Sequence, residues 1–273
     1  MDWGYPDQPP FTPLLARAAS ELFGDSLVGL RVASAVAAGV VVPLCGLIAR
    51  ELGGGRAAQV LAAGCMAVSA YLLAVGHPLS TSTFDLLAWA ALSWAVVRAL
   101  RAGGRAWVTV GVIGGLGLQI KTLPALLLAA LLVGVLTVGP RGALGFRIRR
   151  GSGAWLACGI AAVLWAPNVV WQATHGWSLL TLSGAIAAGS SISGQPRWLF
   201  LPFQLVLVSP LLVPVWAAGL WWLAKDPEPQ RYRAFWATCA VSSGVLVPSG
   251  KSNPKTRRGR RSPPNTPVRA MTQ

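Results

Sequence analysis

The side chains that could do chemistry in this sequence are few, and they lie inside or beside long apolar segments. Polar and ionisable groups are expensive in hydrocarbon, so each one in such a setting points to a function. Lys121 carries the single charge between Arg105 and Arg141. Its ammonium is suited to holding an anionic group such as a lipid phosphate. The other candidates are Asp7, Gln8, His77, Asp85, Asn168, Gln172, His175 and Arg197.

Three of these candidates also have a purely structural interpretation, which stays open at this point. Lys121 could extend its ammonium to the lipid headgroups without binding any ligand. His77 could be an ordinary loop histidine. A Ser or Thr of residues 80–83 could cap a helix whose N-terminal dipole favours the carboxylate of Asp85.

The remaining polar groups leave similar alternatives. Asn168 could satisfy a backbone group that Pro167 frees, or it could face a substrate. Gln172 and His175 fit an interfacial anchor as well as a binding edge. Asp7 lies in a short turn before two prolines, which fix their own backbone angles and restrict their neighbours, so the turn can present a carboxylate rigidly.

Composition and hydropathy patterning predict the elements that hold these groups. Of the 273 residues, 54% are hydrophobic and only 11% are charged, whereas soluble domains carry about 25% charged residues. Crossing hydrocarbon takes about 20 mostly apolar residues. Residues 14–24 predict an amphipathic interfacial helix that ends at Gly24. The sequence predicts an all-α fold, a polytopic transmembrane helix bundle of about eight membrane helices, at 28–49, 57–76, 83–101, 106–120, 123–139, 154–172, 198–224 and 234–249.

The distribution of Lys and Arg predicts the orientation of the bundle. One alternate set of connections holds four basic residues, namely Arg17, Arg31, Lys121 and Arg197. The other set holds twelve, namely Arg50, Arg56, Arg98, Arg101, Arg105, Arg141, Arg147, Arg149, Arg150, Lys225, Arg231 and Arg233. We therefore expect a multi-pass protein of the plasma membrane with its N-terminal loop outside. The polar candidates then gather at the outer face.

Several function classes do not fit this sequence. The net charge of +15 could suggest a nucleic-acid binder, but the basic residues are spread over the connections between apolar segments, so we expect no nucleic-acid partner. The four cysteines stand singly in apolar runs, which indicates neither disulfides nor a thiolate metal site. With two histidines and no metal-binding motif, no metal and no other cofactor is indicated.

The C-terminal stretch 251–273 differs abruptly from the rest of the chain. It contains seven basic residues, no acidic residue and no leucine, which is typical of a disordered segment. It could be a basic tail that binds lipid or nucleic acid. We favour an out-of-frame or otherwise unnatural end, so the predicted organisation is a membrane domain over 1–250 followed by a disordered basic tail over 251–273.

Taken in order, several segments resemble the bacterial family 39 glycosyltransferases. These enzymes are relatives of the dolichyl-phosphate-mannose protein mannosyltransferases and of the lipid A aminoarabinose transferases. The resemblance covers about residues 2–251 and rests on an ordered set of motifs rather than on one signature. The segments that carry it are Asp2–Arg17, Gly24–Arg31, Ala49–Arg56, Gly76–Asp85, Pro167–Gln172 and His175–Trp177.

The resemblance implies a GT-C fold, a membrane helix bundle with its active site at the outer face. Such enzymes transfer a sugar from a polyprenyl-phosphate carrier to an acceptor hydroxyl with inversion, and an acidic residue of the first outer loop acts as base. By this likeness, Lys121 would hold the carrier phosphate with help from Arg197. Asp85 and His77 would line the sugar or acceptor site, and the loop of Asp7 would close it. Gln8 and His175 complete the expected substrate-binding set, and the acceptor is unknown.

The chain departs from the family pattern at several points. The resemblance places the principal acidic motif of the family, Asp-Glu, and a first membrane helix upstream of Met1. We therefore expect a fragment without its usual base, with Asp7 as a weak surrogate, and reduced or absent activity. Many members carry His at the place of Gln8, and a polar or aromatic residue commonly follows the lysine that Lys121 matches. After Lys251 the family continues into apolar sequence.

Two other function classes are alternatives to a glycosyltransferase. A transporter or permease would favour broken helices at matching positions of two halves and charged groups at mid-membrane. Prolines are present in the apolar runs, but the sequence contains no internal repeat and no charge pair in the middle of a span. A non-catalytic membrane subunit is the second alternative.

Overall fold

The computed structural model describes residues 9–24, 26–122, 124–125, 127–129 and 152–187, together with positions 202, 214–215, 217–219 and 221. Within these residues the chain is helical and contains no strand. The helices are α1 (Phe11–Phe23), α2 (Leu27–Glu51), α3 (Arg56–Ala67), α4 (Ala70–Gly76), α5 (Thr81–Ala102), α6 (Ala106–Leu118), α7 (Ser152–Thr174) and α8 (Ser178–Ala187).

Helix α1 confirms the expected helix before the first span, although it begins three residues earlier than predicted. Pro10 stands at its N-cap and Pro13 in its first turn, where a missing N–H costs no hydrogen bond. The helix ends at Gly24, whose φ of +65° suits a residue without a Cβ. Its exposed apolar side chains, among them Leu22 and Phe23, accompany an exposed ion pair between Arg17 and Glu21.

Three described helices, α2, α5 and α7, are long and apolar enough to cross a membrane. They correspond to the predicted spans 28–49, 83–101 and 154–172. The predicted span 57–76 is broken, since α3 and α4 meet at a bend of 55° and together make up a fourth candidate. Helix α6 has the place of the predicted span 106–120 but has only 13 residues.

The remaining predicted spans lie largely or wholly outside the described residues. In 123–139 the described residues 124–125 and 127–129 are helical, and in 198–224 a few positions are helical. The span 234–249 and the tail 251–273 have no described residue. The structure therefore supports three or four membrane helices in the described part of the chain.

The packing core lies between α5, α6 and α7. Leu92, Val96 and Ala99 of α5 pack against Trp107 and Val110 of α6, and small residues of α7 complete this cluster. Between membrane helices such contacts stabilise the bundle through close van der Waals packing, since lipid tails are as apolar as the side chains they replace. A second cluster joins Ala37 of α2 to Phe84 and Ala88 of α5 and to Ile120. These contacts bring the beginning of α5 next to the end of α6.

Candidate functional site

The structure brings together two of the residues that the sequence singles out. The Nζ atom of Lys121 lies 3.8 Å from Oδ2 of Asp85. Asp85 belongs to the second turn of α5, and Lys121 follows the end of α6. The Asp85 side chain is only 12% exposed, whereas that of Lys121 is 32% exposed. A shielded carboxylate therefore faces a cation that remains accessible.

The second carboxylate oxygen of Asp85 also has a partner. Trp89, one helical turn later, donates a hydrogen bond from Nε1 to Oδ1 over 3.1 Å. Residues four apart on a helix are neighbours, so this bond fixes the carboxylate within its own helix. Trp89 was not among the residues singled out from the sequence, although its spacing from Asp85 is a recognisable signal.

Apolar packing fixes the surroundings of the ion pair. Phe84 and Ile120, the neighbours of the two charged residues in sequence, are buried in one cluster. Phe84 also meets Phe11 of α1 edge to face, with 5.6 Å between ring centroids. Pro9 and Pro10 are buried at the beginning of α1. The beginning of α1 therefore packs beside the helix turn that carries Asp85.

The start of α5 differs from the capping that the sequence suggested. Ser80 is the N-cap residue, but its side chain makes no capping hydrogen bond, and its Oγ lies 3.3 Å from Oγ1 of Thr83. Thr83 is fully buried and donates a hydrogen bond to the Val75 carbonyl of α4. Asp85 lies beyond the first turn and pairs with Lys121. The polar residues Ser80 and Thr83 thus connect the beginning of α5 to α4.

The two histidines make local contacts. His77 is exposed, and its Nδ1 lies 3.2 Å from the Leu73 carbonyl of α4. His175 stacks on Trp171 at 4.3 Å between ring centroids, and its Nδ1 lies 2.9 Å from the Trp171 carbonyl. None of the contacts described for either histidine reaches the Asp85–Lys121 pair.

Two polar residues of α7 are buried near its end. Gln172 accepts hydrogen bonds at Oε1 from the hydroxyl of Ser178 over 3.2 Å and from the backbone N–H of Leu179 over 3.3 Å. These bonds support the beginning of α8. Asn168 is 3% exposed within the same helix.

Asp7, the weak candidate for the catalytic base, lies outside the described residues, which begin at Pro9. The predicted substrate-binding residues Gln8 and Arg197 also lie outside the described residues. The identity of the base and the roles of these side chains therefore stay predictions from the sequence.

Basic residues of the predicted inner set gather at the opposite end of α5. Arg101 and Arg98 lie 3.1 and 3.5 Å from the carboxylate of Glu51 at the end of α2. The 16 residues from Asp85 to Arg101 correspond to about 24 Å along a helix. These three ion pairs thus lie near helix ends, whereas a transporter would favour charged groups at mid-membrane.

The chemistry open to this site is anion binding. A lysine ammonium carries three N–H donors, and the distance of 3.8 Å to Asp85 is an ion pair rather than a short hydrogen bond. Donors of Lys121 are therefore available to an oxyanion. In the part of the chain that the structure describes, no group of three or more His, Cys, Asp or Glu residues could hold a metal ion.

Comparison with known proteins identifies the family. The family described as dolichyl-phosphate-mannose-protein mannosyltransferase matches residues 7–171, more than half of the chain. The chain is also 30% identical over 246 residues to undecaprenyl phosphate-alpha-4-amino-4-deoxy-L-arabinose arabinosyl transferase 1 of Pseudomonas fluorescens (strain Pf0-1). That match covers 82% of this chain and 42% of the relative, so the chain spans about two fifths of the relative's length. No solved structure matches the chain.

The family match bears directly on the site described above. Its range includes Asp85 and Lys121, as well as His77 and the Asp7–Gln8 pair, whereas His175 and Arg197 follow it. The match, the identity to the arabinosyl transferase and the apolar helices agree with the resemblance seen in the sequence. The chain therefore belongs to the dolichyl-phosphate-mannose-protein mannosyltransferase family of membrane glycosyltransferases.

Proposed function

We propose that this chain takes part in the transfer of a sugar from a polyprenyl-phosphate carrier to an acceptor hydroxyl. The family supports this donor class, and so does the relative, an undecaprenyl phosphate-alpha-4-amino-4-deoxy-L-arabinose arabinosyl transferase. The observation that carries the proposal is the accessible ammonium of Lys121 beside the shielded carboxylate of Asp85.

Lys121 binds the carrier phosphate in this proposal. Its ammonium is held near Asp85, and its accessible donors bind phosphate oxygens of the carrier. Arg197, which precedes the apolar run that begins at Trp198, supplies a second cation from the same side of the membrane. Two cations would match the charge of a phosphate better than one.

The other predicted residues act around this phosphate. Asp85 orients Lys121 and lines the sugar or acceptor site together with His77. Gln8 and His175 contribute to the edge of the site, and the rigid turn of Asp7 closes it. Asp7 is the weak candidate for the base that deprotonates the acceptor. General-base catalysis contributes about 10²–10⁴-fold, so activity of the chain depends on that residue.

The proposed location is the plasma membrane, with the Asp85–Lys121 end of the bundle at the outer face. The excess of basic residues in the other set of connections supports this orientation. The proposed organisation is a membrane domain of about eight spans over residues 1–250 and a disordered basic tail over 251–273. The sugar acceptor belongs to the cell envelope and is a glycan, a lipid or a protein.

Binding of undecaprenyl phosphate tests the proposed function without requiring turnover. The purified full chain in lipid nanodiscs should bind the radiolabelled lipid, and Lys121→Ala should weaken this binding about tenfold or more, as loss of a charged hydrogen bond does. Arg101→Ala is the matched control, since it removes a cation from the opposite end of α5 and should leave binding unchanged. Equal binding by the parent chain and Lys121→Ala would overturn the role of Lys121.

A further inference from the structure

Helices α6 and α7 pack closely because glycines of α6 lie at their contact. A Cβ atom placed on Gly111 would lie 2.7 Å from the Ala157 carbonyl oxygen, and one on Gly115 would lie 2.6 Å from Cβ of Leu164. Glycines four residues apart leave a groove on one helix face, and residues of the facing helix pack into it. The two backbones are therefore in contact along this face.

Gln119 continues the same face beyond the end of α6, because it follows Gly111 and Gly115 at intervals of four residues. Its Nε2 donates a hydrogen bond of 2.6 Å to the backbone carbonyl of Leu164 in α7. Helix α7 contains Pro167, which has no N–H and deprives the Val163 carbonyl of its usual helical donor. The Gln119 amide thus binds α7 at the backbone segment that proline weakens.

The segment that holds Gln119 also carries Lys121. The backbone N–H of Gln119 donates a hydrogen bond to the Leu116 carbonyl over 3.0 Å, and the backbone N–H of Lys121 donates one to the Gly117 carbonyl over 3.1 Å. One hydrogen-bonded turn therefore connects the Gln119 side chain, which binds α7, with the Lys121 side chain, which reaches Asp85 on α5. Movement of this turn away from α7 would move the ammonium away from the carboxylate.

We infer that Gln119 is a positioning residue that fixes the turn after α6 against the proline-containing helix α7 and thereby places the ammonium of Lys121 at Asp85. The placement stands independently of the reaction, whereas its effect on carrier binding rests on the proposed function. The interaction partners on either side differ in kind: a backbone carbonyl holds Gln119, and a carboxylate faces Lys121.

Cysteine cross-linking measures this placement directly. In the full chain with its four native cysteines replaced by alanine, Asp85→Cys and Lys121→Cys should react with a short bifunctional thiol reagent. Adding Gln119→Leu should slow cross-linking about three- to tenfold, the range expected from loss of one hydrogen bond. Gln119→Glu, which keeps the shape but loses the donor, should slow it as well. Unchanged rates in both variants would overturn the inference.

Two controls separate positioning from general loosening of the fold. Gln59→Leu removes a comparable hydrogen bond, which the side-chain amide donates from Nε2 to the Gly54 carbonyl over 3.0 Å. This variant should leave the cross-linking rate unchanged. A reference pair at the other end, Glu51→Cys with Arg101→Cys, should cross-link equally well with and without Gln119→Leu. If Gln119→Leu slows both pairs alike, the effect is a loss of structure and the inference is wrong.

Binding of undecaprenyl phosphate then distinguishes this inference from the proposed function. Gln119→Leu in the otherwise native chain should raise the Kd about three- to tenfold, with Lys121→Ala raising it further. If Lys121→Ala leaves binding unchanged while Gln119→Leu slows cross-linking, the proposed function fails and the positioning role stands. If Lys121→Ala weakens binding and Gln119→Leu alters neither measurement, the positioning role fails alone.

Discussion

Removing the charges of Asp85 and Lys121 one at a time and then together should show that the two residues stabilise the bundle as a pair. Asp85→Asn keeps the shape of the side chain and removes its charge, and Lys121→Met keeps an unbranched side chain without the ammonium. We expect Lys121→Met to be the more destabilising single change. It leaves a carboxylate that is only 12% exposed without its cation, whereas the ammonium left by Asp85→Asn is more accessible to water.

The expected coupling follows from the distance and exposure of the pair. Two unit charges 3.8 Å apart attract each other by about 4 kcal/mol at an effective dielectric constant near 20. Desolvation of Asp85 and the accessibility of Lys121 offset part of this attraction. The net coupling free energy should therefore be about 1–2 kcal/mol, above the value of about 0–1 kcal/mol typical of exposed pairs.

A double-mutant cycle on the free energy of unfolding in mixed detergent micelles measures this coupling. Arg17 and Glu21 provide the matched control, since they form a closer pair, at 2.8 Å, with both side chains more than 60% exposed. Their coupling should stay below about 0.5 kcal/mol. A coupling between Asp85 and Lys121 no larger than that of the control pair would refute the reasoning from burial.

Two further predictions concern packing and sidedness. Gly111→Ala should lower the free energy of unfolding by about 1–3 kcal/mol, because its Cβ would meet the Ala157 backbone. The control Gly159→Ala, with nothing within 4 Å of its Cβ, should be neutral or stabilising by up to about 1 kcal/mol. Equal losses of stability in the two variants would contradict the close packing. The second prediction concerns sidedness. In intact cells a membrane-impermeant maleimide should label His77→Cys, whereas Arg101→Cys should react only after the membrane is permeabilised. Labelling of both from one compartment would contradict the proposed orientation.

The long membrane helices could be predicted from the sequence because their hydropathy signal is strong. Helices α2, α5 and α7 match their predicted ranges within a few residues. The break between α3 and α4 was not predicted, since the segment is mostly apolar on both sides of Ser69, the N-cap residue at which the new helix starts. Hydropathy measures burial in hydrocarbon and carries little information on the direction of a helix.

The site was predictable residue by residue but not as a geometry. Asp85 and Lys121 stood out because isolated charges are costly beside apolar segments, and the alternation of spans predicted that both lie at one end of the bundle. Their contact depends on the rotation of α5 and α6 about their axes, which packing side chains such as Phe84 and Ile120 determine. Sequence patterns specify those rotations only coarsely. The bond from Gln119 to α7 depends on the same packing.

The asymmetry between the two ends of α5 connects the fold to the proposed chemistry. At one end Glu51 faces two arginines, so its charge is more than balanced. At the other end Asp85 faces one lysine, and the pair is close to neutral while the lysine keeps unused donors. A neutral pair is tolerated in the membrane without ligand, and an arriving phosphate still finds N–H donors. A lysine without a carboxylate partner would bind phosphate too, but its ammonium would be free to extend to the headgroups and would not be held at the site. The buried partner is therefore what sets the phosphate-binding role proposed for Lys121 apart from that of an ordinary interfacial lysine.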